Sequence, residues 1–217
     1  MTRKKPLSSR DKAIRAIEDR GALLVFPDGN KAEPPSLWSV LHPRSEMRWS
    51  WDADGDNRVP KLWVLREELS RSGAVVYSKW YRGRATFFAK DDFTDLLAVR
   101  KASEAEHSLR GESAALYEAL LESSPQSTKE LKRATDLQGR FFESAYHKGM
   151  KALFEAGLIV GWGEVDDGAF PSLACGATKV LFEDSWTESL NRSPEEALSR
   201  IQSRWNGKFL QFLSKLK

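Results

Sequence analysis

Three stretches of this 217-residue chain carry side chains suited to gripping a polyanion. Between Val75 and Phe88, Lys79, Arg82 and Arg84 stand among Tyr77, Trp80, Tyr81, Phe87 and Phe88 around Gly83. Cations on a hairpin tip can bind phosphate oxygens and flat rings beside them can stack on exposed bases, so Lys79, Trp80, Arg82 and Arg84 are candidate nucleic-acid contacts. The same alternation would equally send the rings into a core and leave the cations in water. Between 140 and 156, Arg140, Ser144, His147 and Lys151 recur at four, three and four residues, with Lys148 beside them. On a helix that spacing gathers two or three cations, a hydroxyl and an imidazole on one face, a set that can reach phosphates and base edges. The third stretch, His42 to Asp52, crowds His42, Arg44, Trp49 and Trp51 into one irregular segment. It reads either as a pocket or as loop tryptophans packed onto a core.

Other chemistries find little support in the sequence. Asp52-Ala53-Asp54-Gly55-Asp56-Asn57 begins like a calcium loop, but its sixth position is Asn57 where a glycine is needed and its twelfth is Trp63 where a glutamate is needed. It reads instead as a turn whose Asp56 or Asn57 caps the next helix. One cysteine, Cys175, and three histidines offer neither a disulfide nor metal-ligand spacing, so no metal and no cofactor are expected. No apolar run approaches the roughly 20 residues of a membrane span, and the basic N-terminus has no apolar stretch behind it, so a cytoplasmic protein with no membrane partner is expected. The formal net charge of +3 is an average. Arg58 to Lys101 holds ten Lys/Arg and five Asp/Glu, whereas the segment Glu164-Val165-Asp166-Asp167-Gly168 is acidic.

These residues need elements to place them. After a basic tail, 1–10, periodicity predicts a helix over Asp11 to Arg20, a strand over Ala22 to Phe26 and a helical turn over Ser36 to Leu41. A helix over Lys61 to Ser72 and a hairpin over Val75 to Phe88 follow, then a helix from Asp91 to about Val99. Residues 11–100 thus form an N-terminal unit of helices and a hairpin, whose order also admits a winged-helix-like reading, and 101–111 reads as a polar linker. Residues 112–186 then give helices at Ser113 to Glu122, from the capping box Ser127-Thr-Lys-Glu130, and at Arg140 to Ala156, followed by a hairpin from Leu158. Three helices and a hairpin are the order of a winged helix. Its third helix would turn Phe142, Ala145, Gly149, Ala152 and Leu153 to the core and the cations to a major groove. After a linker at 186–192, a C-terminal helix at 193–217 carries Trp205, Phe209 and Phe212, a stripe for packing on the first half or for a homodimer. The fold class expected is α+β.

Read together, Leu69 to Phe88 and the run from Gly161 to Ser172 within this pattern resemble the AlkZ/YcaQ winged-helix DNA glycosylases, and more narrowly their short AlkZ-related relatives, over Asp11 to Trp186. The resemblance implies tandem winged-helix units around damaged DNA, excision of alkylated or crosslinked bases, and a β-hairpin near the lesion. Those enzymes carry a Gln-x-Gln or Gln-x-Asp motif that positions water. The glutamines here stand in Gln126-Ser-Thr, Gln138-Gly-Arg, Gln202-Ser-Arg and Gln211-Phe-Leu, and none fits. The chain is also shorter, which implies that one domain of the ring around DNA is missing. The function expected is therefore DNA binding in repair or processing without that catalytic motif. Two alternatives stand beside it. One is a glycosylase in which Asp52, or Asp54 or Glu46, stabilises the oxocarbenium-like centre. The other is a transcription regulator or protein-interaction module.

Overall fold

A computed structural model describes residues 8–29, 31–49, 55–166 and 171–216. The chain is mixed α+β, built on one antiparallel sheet. The first half runs α1 (Ser9–Arg20), β1 (Ala22–Leu24), α2 (Leu37–Leu41), α3 (Arg58–Arg71), β2 (Val75–Ser78), β3 (Thr86–Ala89) and α4 (Lys90–Val99). A short helix α5 (Ala102–Ser108) occupies most of the expected linker. The second half runs α6 (Gly111–Glu122), β4 (Gln126–Ser127), α7 (Thr128–Ala134), α8 (Glu143–Glu155), β5 (Ile159–Val165) and β6 (Ser172–Ala177). Four helices close the chain: α9 (Thr178–Leu181), α10 (Glu183–Ser189), α11 (Pro194–Arg204) and α12 (Gly207–Leu213).

Local chemistry explains most boundaries. The Ser127 hydroxyl accepts the Glu130 N–H while the Glu130 carboxylate accepts the Ser127 N–H at 2.8 Å, so the capping box opens α7. At the start of α3 the Asp56 carboxylate accepts the Arg58 N–H at 2.9 Å, and hydrogen bonds from Arg58 hold Asp56 down at about 2. The C-terminal helix is two helices, because Asn206 caps a new start by accepting the Lys208 N–H at 2.8 Å. The expected linker at 186–192 is mostly the end of α10, held to α4 by Arg192, which donates to Asp95 at 2.7 Å.

The sheet order is β1-β3-β2-β5-β6-β4. In each half a short strand follows the first helix and pairs with the last strand of the hairpin: β1 with β3, and β4 with β6. The two halves thus repeat one order, helix, short strand, helix, helix, hairpin, which is compatible with a winged helix twice over. They join edge to edge where Tyr77 of β2 faces Gly161 of β5. A Cβ on Gly161 would stand 2.2 Å from Tyr77 Cδ1, so only glycine lets the ring lie across this seam.

Every residue of the first-half strands is buried, and successive residues turn to opposite cores in the period-two manner of a sheet covered on both faces. Leu24, Val76 and Phe88 pack with α4, α6, α8, α11 and α12, whereas Leu23, Val75, Tyr77 and Phe87 pack with α1, α2 and α3. Among the described residues no helix is long and apolar enough to cross a membrane.

Candidate nucleic-acid interface

Helix α8 faces inward with Tyr146, Gly149, Met150, Leu153 and Phe154, all buried. Two expected core positions differ. Ala152 is exposed, and Phe142 is 38% exposed because it lies in the turn before α8 begins, off the inward stripe. At Gly149 α8 crosses α6 closely, since a Cβ there would stand 2.8 Å from Leu116 Cδ1. This close crossing fixes the roll of α8, and with it the outward face. Ser144, His147, Lys148 and Lys151 are all exposed on that face, and Arg140 is exposed just before it.

Ion pairs divide these cations. Lys151 Nζ donates to Glu155 at 2.9 Å and His147 Nε2 stands 3.2 Å from Glu143, each one turn away on α8. Glu143 also accepts Lys132 Nζ at 2.6 Å, and that hydrogen bond holds its carboxyl below the ordinary range. Exposed pairs of this kind contribute little to stability, so phosphates could displace the carboxylates at small cost.

The turn between β2 and β3 lies against the same helix. Lys79 and Gly83 line one wall of a groove of about 250 Å³, and Tyr146, His147, Met150 and Lys151 line the other. Thr128, Leu173 and Cys175 add to its lining, and burial pushes the Cys175 thiol up to about 12, so it stays protonated. Two candidate regions more than sixty residues apart in sequence are thus neighbours.

Trp80 corrects the expectation for this turn. Its ring is fully buried, in contact with Trp205 at 5.5 Å and Phe212 at 4.9 Å between centroids, so it packs α11 and α12 onto the sheet and is not available to a base. Tyr81 does the same with Phe209 at 5.0 Å. The expected aromatic stripe of the C-terminal segment is therefore spent inside this chain. Of the turn's cations, Arg84 pairs with Asp28 at 2.6 Å, while Arg82 is exposed beside the Tyr81 ring. Arg82 also lines a second small cavity of about 150 Å³ with Lys31, Lys208 and Lys215. Lys208 begins α12 and Lys215 follows its end, and both line this cavity beside Tyr81 and Phe212.

The third stretch divides. His42 ends α2 with its ring 4.7 Å from Trp38, and it lines a cavity of about 680 Å³ with Arg10, Lys12, Arg58 and Lys61 over Leu62 and Leu65. Burial, then the nearby Arg58 charge, lowers its pKa. Trp49 packs on Phe26 at 5.4 Å and Arg44 is exposed, and neither lines that cavity. Trp51, Asp52 and Asp54 lie outside the described residues, and Glu46 is exposed. No group of three or more His, Cys, Asp or Glu among the described residues could hold a metal ion.

The acidic hairpin of the second half is turned toward α3. Glu164 of β5 accepts Arg66, which is buried, and the Trp63 indole N–H at 3.3 Å, while Arg71 donates to the Glu164 carbonyl. One carboxylate of the acidic run is thereby neutralised away from the α8 face. Comparisons with curated proteins and with solved structures found no match. A family model described as AlkZ related matches residues 7–212, nearly the whole length, and the chain belongs to that family.

Proposed function

We propose that this protein binds duplex DNA in repair or processing, through the outward face of α8 and the turn at 79–83. The observation that carries the reading is the groove in which Lys79 meets His147 and Lys151. With Arg140 and Lys148 exposed beside it, it offers a basic surface to a phosphate backbone, and α8 has a diameter that fits a major groove. Family membership supports the reading through its relation to AlkZ/YcaQ-like proteins. Binding without base excision is favoured over catalysis. None of the chain's glutamines stands in the Gln-x-Gln or Gln-x-Asp pattern that positions water in the glycosylases it resembles.

Salt-dependent binding tests this. Affinity for a duplex should fall steeply with salt, and Arg140→Ala with Lys148→Ala should flatten the log–log slope by roughly 1.8, the loss of two phosphate contacts. An unchanged slope removes α8 from the interface. Incubation with alkylated duplexes should release no base, and the appearance of abasic sites would replace the binding reading with a glycosylase.

A further inference from the structure

Phe141 is the most exposed large apolar side chain among the described residues, at 90%, where the others fall at 57% or below. It sits in the turn between α7 and α8, after Gly139, whose φ of +85° requires glycine, and directly after the exposed Arg140. Its ring meets Phe142 edge-on at 5.1 Å. Phe142 is anchored by the helix start, since its carbonyl accepts the Tyr146 N–H at 2.9 Å. The outer ring is thus exposed and rests edge-on against a neighbour whose backbone the helix start holds.

Core packing does not explain that placement. Exposed Trp63, by comparison, bonds Glu164 and lies under Arg66. The charge around Phe141 indicates what it meets. From Lys129 to Lys151 there are six Lys/Arg and three Asp/Glu, and Glu143 is paired with Lys132 and His147. An apolar ring projecting from a cationic surface suits a polyanion with an apolar interior, which a nucleic-acid duplex is. Proteins that insert an apolar side chain between base steps must unstack them at a cost of a few kcal/mol per step. Where a base is absent that cost is already met, so the ring can occupy the empty place.

We infer that Phe141 is a stacking wedge that enters a duplex where the stack is interrupted, and that it gives the protein a preference for gapped or abasic DNA over intact duplex. This rests on the proposed DNA-binding reading. The two fail differently: no binding to any duplex sinks that reading, whereas equal binding to intact and interrupted duplexes sinks only this one.

The test compares an intact duplex with the same sequence carrying one tetrahydrofuran abasic analogue, with 2-aminopurine next to it. Wild-type protein should bind the interrupted duplex about tenfold more tightly, near the low end of what a base–aromatic stack contributes. It should also change the 2-aminopurine fluorescence. Phe141→Ala, at a site too exposed to disturb folding, should lose the preference and the fluorescence change while keeping its affinity and salt slope on intact duplex. Phe141→Trp should restore both. A preference that survives in Phe141→Ala overturns the proposal. So does conversion of a dimer to a monomer by Phe141→Ala with DNA binding unchanged, since the ring would then serve a contact between copies of the chain.

Discussion

Helices α3 and α8 hold equivalent places in the two halves, each the third helix before a hairpin, and they meet opposite surroundings. Arg66 of α3 is buried against Tyr77 and bound to Glu164, which reaches over from the second half's hairpin. Trp63 and Arg71 are drawn into the same contact. The first half's turn stands across a groove from α8, and the outward cations of α8 stay exposed. The hairpins differ in the complementary sense. The first half's turn is pinned by Trp80 and Tyr81 under α11 and α12, while the second half's hairpin leans on α3. Joining two like units edge to edge therefore commits one of them to architecture and leaves the third helix of the other open to a partner.

The largest expected effect comes from breaking the anchored turn. Trp80→Ala should cost about 4 kcal/mol in denaturant unfolding, because a fully buried indole leaves a cavity among Phe88, Trp205 and Phe212. A stable Trp80→Ala protein that had lost only DNA affinity would instead return Trp80 to the interface. Next is the seam. Glu164→Ala leaves Arg66 buried without its carboxylate and should cost about 3 kcal/mol. Gly161→Ala, which sets a methyl against the Tyr77 ring, should cost about 2 kcal/mol. If both variants unfold with wild-type midpoints, the halves do not depend on the shared sheet and the asymmetry between α3 and α8 loses its cause.

What was legible in the sequence was whatever depends on near neighbours. The capping box at Ser127, the turn at Asp56 and the outward cations of α8 follow from spacings of two to four residues, and all are found where that spacing puts them. What was not legible depends on contacts across the sheet. Nothing near Trp80 in sequence announces that Trp205 and Phe212, far along the chain, will cover it. The cations beside it made base stacking as reasonable as burial. The seam at Gly161 was hidden for the same reason, since a glycine in a strand signals a close approach without naming the partner. Helix α5 and the end of α10 fall where the sequence predicts linkers, because their exposed faces are polar. Their order comes from docking, as with Arg192 on Asp95, more than from periodicity.

A charge reversal on each of the two helices sharpens the comparison more gently. Lys148→Glu on α8 should weaken duplex binding about tenfold or more at low salt, and Lys61→Glu on α3 should change it by no more than about twofold. Both residues are exposed, so stability should stay within about 0.5 kcal/mol of wild type in either variant. Equal losses from the two would mean that the α3 side, with its cavity at Arg10, Lys12 and Lys61, shares the DNA path.

The smallest effect concerns His42 at that cavity. Burial and the Arg58 charge lower its pKa from 6.5, so on acidification the unfolded chain takes up a proton before the folded one does. Between the two pKa values the unfolded state binds more protons, and stability must fall as pH drops below about 6.5. His42→Gln removes this linkage while keeping a planar polar group beside Trp38. The drop in thermal midpoint from pH 7 to pH 5 should therefore be smaller in His42→Gln than in wild type. Identical drops would show that the imidazole is as free to protonate in the fold as in the open chain.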